Sequence, residues 1–171
     1  MSDLVLKFVN LLIENNLRIV TAESVTGGLI ASTLISIPKV SQVLKESFIV
    51  YSDEAKIKQL GVSGDTIKTY TAVSSQTCNE MMEGLYKKIP KANVVLTSTG
   101  YADGEFGGKV FLGIGFNKTN KVYEKTYKGE RNDIRKQAVY DILTLAYETV
   151  SKNVSREIFL LTVSYAKVKI S

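Results

Sequence analysis

The stretch RIVTAESVTGGLIASTLIS, residues 18–36, joins a β-branched segment to an apolar segment through a turn with serine and two glycines. Residues 18–22 have the composition of a short buried strand. Gly27 and Gly28 punctuate the chain, and residues 29–36 then have a helical composition. The stretch therefore predicts a strand, a tight turn and a helix, which is the basic unit of an α/β fold.

The turn itself carries candidate site residues. Backbone N–H groups at Thr26, Gly27 and Gly28 would face the start of the helix, where they suit a phosphate or an oxyanion. Ser24 lies on the same turn and is a candidate nucleophile. The alternative is that Ser24 or Thr26 only caps the helix, and these residues taken alone favour that alternative, because Ser and Thr are preferred caps.

Helical and strand-like segments alternate on both sides of this unit. The apolar spacing predicts further helices over residues 3–16, 53–61, 74–88 and 132–150. The sequence also predicts strands over residues 47–52 and 92–98 and a hairpin of residues 109–116 and 121–128. This order predicts an α/β fold whose mixed sheet is covered by helices on both faces.

The chain length fits one domain. A chain of 171 residues with 44% hydrophobic residues can bury a continuous core. We expect a single domain over residues 1–150 and a tail over residues 151–171. The apolar, β-type segment REIFLLTVSYAKVKI, residues 156–170, is expected to add an edge strand or to contact another subunit, which leaves a homo-oligomer open.

The chain has no histidine and a single cysteine, Cys78. A Ser-His-Asp or Cys-His mechanism is therefore excluded, and a zinc site is not expected. Hydrolytic chemistry would have to use lysine, tyrosine, carboxylates or a metal bound by oxygen ligands. Cys78 lies among Met and Leu at helical spacing, which favours a place in the core over a reactive role.

The net charge of +5 does not indicate a nucleic-acid interface, because the lysines are scattered and alternate with acidic residues. A small anionic ligand accounts for the charge equally well. Lys7, Asn10 and Glu14 interrupt the apolar residues of the amino-terminal segment, so no membrane helix is expected there. With one cysteine and no secretory cleavage pattern, the cytoplasm is the expected location.

Tyr51 lies at the end of the second predicted strand, and Lys56 lies in the first turns of the next predicted helix. If this strand neighbours the first, both side chains could approach Ser24. A serine needs a base to take its proton, and a desolvated lysine can act as that base when histidine is missing. The alternative readings are an edge tyrosine and a solvated helical lysine, and the residues taken alone favour them.

Two further segments could contact a ligand. The segment STGYADGEFGG, residues 98–108, follows the third predicted strand, and Gly100 is the first of four glycines that would let it bend over a ligand. Arg131 and Arg135 lie four residues apart near the start of the long predicted helix, where they could bind a phosphate. The same pair could also form a solvated helix face.

Five motifs occur together in a specific order: TAESVTGG, FIVYSDEAKIKQLGV, AVSSQT, STGYA and GERNDIRKQAV. In this order and spacing they resemble the CinA C-terminal domain family, over about residues 4–150. The resemblance implies a three-layer α/β/α domain. It also implies an amidase that hydrolyses the carboxamide of nicotinamide mononucleotide to nicotinate mononucleotide and ammonia, with no metal and no other cofactor.

The resemblance implies catalytic roles for three residues of this chain, Ser24, Tyr51 and Lys56. Ser24 would attack the amide carbon, while Lys56 and Tyr51 would move the proton to the departing ammonia. Water would then release the acyl group from the serine.

The resemblance also implies binding roles. The backbone N–H groups of Thr26, Gly27 and Gly28, together with Thr99, would hold the oxyanion. Arg131 or Arg135 would hold the 5′-phosphate.

This chain departs from the family pattern at two places. Val25 stands where members of the family commonly have cysteine, but it is only a neighbour of the serine. The loop GYADGEFGG, residues 100–108, is shorter than the family's loop and adds Asp103 and Glu105. The alternatives are therefore a nucleotide-binding paralogue without catalysis and an amidase that acts on another substrate.

Overall fold

A computed structural model describes residues 2–168, and the side chains of these residues except Ile158 and residues 161–168. The helices are α1 (Ser2–Glu14), α2 (Leu29–Ile35), α3 (Asp53–Leu60), α4 (Gly64–Tyr70), α5 (Ser75–Lys88) and α6 (Arg131–Val168). The strands are β1 (Ile19–Glu23), β2 (Leu44–Ile49), β3 (Val94–Gly100), β4 (Lys109–Phe116) and β5 (Thr119–Thr126).

The five strands form one sheet in the order β2-β1-β3-β4-β5. β1 runs parallel to both β2 and β3, whereas β3 pairs with β4 and β4 with β5 in antiparallel fashion. The predicted mixed sheet is thus confirmed, as is the predicted hairpin. Since β1, β2 and β3 are parallel, the loops that follow them leave the same edge of the sheet.

Helices cover both faces of the sheet. Successive residues of a strand point to opposite faces, so neighbouring apolar residues of β3 belong to two different cores. On one face, Val94 and Leu96 of β3 belong to the core that α1, α2 and α6 complete. On the other face, Val95 of β3 packs in a core with Met81 and Leu85 of α5. The three-layer α/β/α architecture is therefore confirmed.

Cys78 of α5 lies in the interior and is fully buried. Its Sγ lies 3.3 Å from Thr97 Oγ1 of β3. Burial raises the pKa of this thiol to about 12. The residue contributes to the core as its helical spacing predicted.

The tail differs from the prediction. Residues 151–168 continue α6, so the expected edge strand is wrong for this part of the chain, and residues 169–171 lie outside the described residues. The segment from residue 131 to residue 168 contains no glycine and no proline, so nothing in the backbone ends the helix. The short helix α4 was also not predicted; Ser63 caps it by accepting hydrogen bonds from the N–H groups of Asp65 and Thr66.

Within residues 2–168, no helix has the length and apolar character needed to cross a membrane.

Candidate active site

Ser24 and Lys56 meet at the carboxyl edge of the parallel strands. Ser24 follows β1 directly, and Lys56 lies in α3, the helix after β2. The Lys56 Nζ lies 3.1 Å from the Ser24 Oγ, and the two residues are 2% and 7% exposed, respectively. A neutral amine at this distance could accept the proton of the serine hydroxyl.

Lys56 lies near the start of α3, a helix that packs against α5. Ser52 accepts a hydrogen bond from the Ala55 N–H and so caps this helix. Burial lowers the pKa of Lys56, and the nearby carboxylate of Asp53 partly opposes this effect. The lysine is therefore neutral over a wider pH range than a solvated one.

Glu23 holds the turn that presents Ser24, and the sequence analysis did not single it out. Its buried carboxylate accepts hydrogen bonds from the Thr26 hydroxyl at 2.7 Å and from the N–H groups of Gly28, Ile30 and Ala31 at 3.0, 2.9 and 2.8 Å. A carboxylate at a helix N-terminus is favourable in charge as well as in hydrogen bonding. The signal available in the sequence was an acidic residue placed between a buried strand and a helix start.

This arrangement changes the role expected for the glycine turn. The Gly28 N–H donates to Glu23 and the Gly27 N–H donates to the Ser24 carbonyl, so neither is directed at a ligand. The Thr26 hydroxyl donates to Glu23 and lies 2.7 Å from the Ser98 hydroxyl. In the described part of the chain, the N–H groups of Val25 and Thr26 have no acceptor, which leaves them as the candidates for an oxyanion.

A cavity of about 220 Å³ opens beside Ser24 and Lys56. Its wall contains the ends of β1 and β3, the segment after β2, the loop before α5 and the first residue of α6. The lining residues are Ser24, Val25, Tyr51, Asp53, Lys56, Ala72, Val73, Thr99, Gly100, Tyr101, Ala102, Asp103 and Arg131.

Thr99 and Gly100 form the β3 side of this cavity. The Thr99 hydroxyl donates to the Ala72 carbonyl at 2.7 Å and so ties β3 to the loop before α5. At Gly100, a Cβ would lie 2.8 Å from the Lys109 carbonyl oxygen, so a side chain there would displace β4. Both residues line the cavity, and Thr99 is already committed to a backbone partner.

Tyr51 lies on the open side of the cavity, where it is 63% exposed. Its hydroxyl lies 3.4 Å from Arg131 Nη1, which can donate to it. Among the hydrogen bonds of residues 2–168, none joins this hydroxyl to Ser24 or Lys56. Tyr51 thus shares the cavity with the other two predicted catalytic residues but is engaged with the arginine.

Arg131 and Arg135 have separate positions. Arg131 lines the cavity, and its Nε donates to Asp103 Oδ2 at 2.9 Å. The hydrogen bonds to Tyr51 and Asp103 raise the pKa of Arg131. Arg135 points instead to the turn, where its Nη2 donates to the Thr26 carbonyl at 2.8 Å. It is therefore a support of the turn rather than part of the cavity lining, and the expected phosphate role is not retained for it.

No group of three or more Cys, Asp and Glu side chains within residues 2–168 is arranged to hold a metal ion.

Known proteins share this sequence pattern. The profile of the family described as CinA C-terminal domain matches residues 1–150. A protein of Finegoldia magna with the provisional name competence-damage inducible protein is 42% identical over 146 residues, which is 85% of this chain and 35% of that protein. A protein of Fusobacterium nucleatum named CinA-like is 40% identical over 147 residues, 82% of this chain and 35% of that protein. The chain thus spans about a third of the length of these relatives.

Solved structures share the fold. A CinA superfamily protein of Klebsiella pneumoniae superposes with a TM-score of 0.84 at 26% identity, covering 88% of this chain and 98% of the other. A competence/damage inducible protein of Agrobacterium tumefaciens gives a TM-score of 0.81 at 32% identity, covering 84% and 92%. The profile match over residues 1–150 and the identity to these relatives show that the chain belongs to the CinA C-terminal domain family.

Proposed function

We propose that this chain is an amidase that hydrolyses the carboxamide of nicotinamide mononucleotide to nicotinate mononucleotide and ammonia. The observation that carries the proposal is the buried Lys56 amine 3.1 Å from the Ser24 hydroxyl. A lysine removed from water at a serine is a known solution to nucleophile activation without histidine. This chain has no histidine, so the pair is the available base and nucleophile.

The first half of the reaction forms an acyl-enzyme. Neutral Lys56 takes the proton of Ser24 as Oγ bonds to the amide carbon, and the carbonyl oxygen becomes an oxyanion. We expect the N–H groups of Val25, which lines the cavity, and Thr26 to donate to that oxygen. The C–N bond then breaks, its electron pair stays on nitrogen, and Lys56 returns the proton so that ammonia leaves.

The second half uses water in place of the serine. Lys56, again neutral, takes a proton from water as the water oxygen bonds to the acyl carbon. When the C–O bond to Ser24 breaks, the proton returns to Oγ and the carboxylic acid ionises on release. Tyr51 and Arg131 lie at the open side of the cavity, where they can orient the ribose and the phosphate.

A second candidate is a nucleotide-binding paralogue without catalysis, or an amidase for another substrate. One observation favours it: Asp103 of the short loop pairs with Arg131, the residue that would bind a phosphate. Turnover of nicotinamide mononucleotide separates the proposed function from both of these alternatives.

The purified protein is expected to release ammonia from nicotinamide mononucleotide, and a metal chelator should leave the rate unchanged. The physical reason is that Ser24 and Lys56 supply both nucleophile and base. The measurement is ammonia and nicotinate mononucleotide formed in equal amounts. A rate that disappears with chelator and returns with a divalent cation would contradict the mechanism, and binding without ammonia release would favour the paralogue.

Turnover is also expected to rise with pH, because only neutral Lys56 can take a proton. Burial lowers the pKa of Lys56, so the midpoint of the rise should lie below the ordinary lysine value of about 10.4. The Asp53 carboxylate raises the same pKa, and Asp53→Asn should therefore move the midpoint to lower pH. The measurement is the rate against pH at saturating substrate.

The matched control for this shift is Asp65→Asn, which neutralises an acid in the first turn of the next helix. It should leave the midpoint in place. An unchanged midpoint in Asp53→Asn would show that the titrating group is not Lys56.

A further inference from the structure

Arg131 presents two nitrogens of its guanidinium group to a single carboxylate. Nε and Nη2 both donate to Asp103 Oδ2, while Nη1 lies near the Tyr51 hydroxyl. This face of the guanidinium group is the one that would otherwise bind two oxygens of a phosphate. Asp103 thus occupies, from within the chain, the place an anionic group of a ligand would take.

Asp103 also affects the charge of the cavity. When Lys56 is neutral, as the proposed mechanism requires, the charged lining residues are Asp53, Asp103 and Arg131, so negative charge is in excess. Removing the charge of Asp103 alone would leave one negative and one positive residue. The cavity would then repel an anionic ligand less.

Asp103 and Arg131 also separate two cavities. Both residues line the cavity of about 220 Å³ beside Ser24 and a neighbouring cavity of about 330 Å³ between the loop and the start of α6. The first volume is below the roughly 300–1,000 Å³ typical of small-molecule sites. A ligand that extends from Ser24 toward the second cavity with a phosphate would meet this ion pair.

We propose that Asp103 is a specificity-determining residue that competes with a ligand phosphate for Arg131, so that the cavity binds a phosphomonoester less tightly than it would without this carboxylate. The inference rests on the proposed function in one respect, because that function identifies the ligand as a pyridine carboxamide. The competition itself concerns only the guanidinium group of Arg131 and an anion. Because the ion pair is exposed, its effect on affinity is modest and depends on salt.

The experiment compares the binding of nicotinamide mononucleotide and nicotinamide riboside by calorimetry, with inorganic phosphate as a third probe and with Ser24→Ala present throughout so that no substrate is consumed. Asp103→Asn is expected to tighten binding of the mononucleotide and of phosphate by up to about fivefold at low salt. Affinity for the riboside, whose pyridinium ring is cationic, should stay the same or fall. The gain for the mononucleotide should shrink as salt is raised.

Glu105→Gln is the matched control, because Glu105 lies in the same exposed loop and has no ion pair among the described residues. An equal gain in Glu105→Gln would overturn the proposal in favour of a general charge effect. No gain in Asp103→Asn would also overturn it.

Arg131→Gln combined with Asp103→Asn tests the partner, and the gain should then disappear. If neither the Ser24→Ala protein nor its Asp103→Asn variant binds phosphate or the mononucleotide, Arg131 is not an anion site and the inference fails. Ammonia release is measured separately, in protein that retains Ser24. If Asp103→Asn tightens binding but no ammonia is released, the inference stands and the proposed amidase function is rejected.

Discussion

Lys56→Met is expected to lower the turnover of nicotinamide mononucleotide by at least the roughly 10²–10⁴-fold typical of lost general acid–base catalysis. Methionine keeps the length of the side chain but cannot accept the proton of Ser24. The substitution should not cost stability, because an apolar side chain replaces an amine in a position that is 2% exposed. Ser24→Ala should abolish turnover, while the fold loses about 1–3 kcal/mol because the buried Lys56 amine loses this hydrogen-bond partner.

The two residues act on the same proton, so their defects should not multiply. The double variant is expected to be little worse than either single variant, since residues that work as a unit are non-additive. Steady-state rates of all three variants, with the thermal unfolding midpoint as a check on folding, provide the measurement.

Lys58→Met is the matched control for Lys56→Met, because Lys58 is an exposed lysine of the same helix. Its turnover should be near that of the wild type. Near-normal turnover in Lys56→Met, or defects that multiply in the double variant, would show that Lys56 is not the base for Ser24.

Glu23→Gln is expected to destabilise the protein by about 3 kcal/mol or more and to reduce turnover with it. The carboxylate accepts from three backbone N–H groups and the Thr26 hydroxyl, and an amide presents an NH₂ group to some of those donors. Hydrogen bonds to a charged group contribute about 1.5–3 kcal/mol each, and unpaired buried donors add a further cost. Denaturant unfolding gives the free energy, and the assay on the remaining folded protein gives the rate.

The control for Glu23→Gln is Glu46→Gln, which removes an exposed carboxylate from the neighbouring strand β2. We expect its unfolding free energy to change by less than about 0.5 kcal/mol. If Glu23→Gln were as stable as Glu46→Gln, the turn would be held by something other than this carboxylate.

The sequence was sufficient to predict a mixed sheet, with Ser24 after the first strand, Tyr51 at the end of the second and Lys56 in the helix that follows. Their proximity was predicted only on the condition that the two strands are neighbours, which TAESVTGG and the residues around Tyr51 do not encode. The distance between Ser24 and Lys56 was not predictable either, because it depends on how α3 packs against distant parts of the chain such as α5. The same local pattern is compatible with a solvated lysine.

Other features depend on contacts between distant parts of the chain. Arg131 and Arg135 share a helix and a spacing that fits a phosphate, yet one pairs with the loop residue Asp103 and the other with the Thr26 carbonyl. Helical spacing does not encode which neighbour is in reach. The tail was misread for a different reason: aromatic and β-branched residues favour strands only weakly, and they do not end a helix that is already formed.

The buried thiol of Cys78 can report when α5 separates from the sheet. The thiol is the only one in the chain, it is fully buried, and its pKa is raised to about 12. A thiol-reactive probe can therefore react only when α5 separates from the sheet, and not in the native packing. The rate of labelling under native conditions thus measures the free energy of that separation, with no tag, mutation or denaturant.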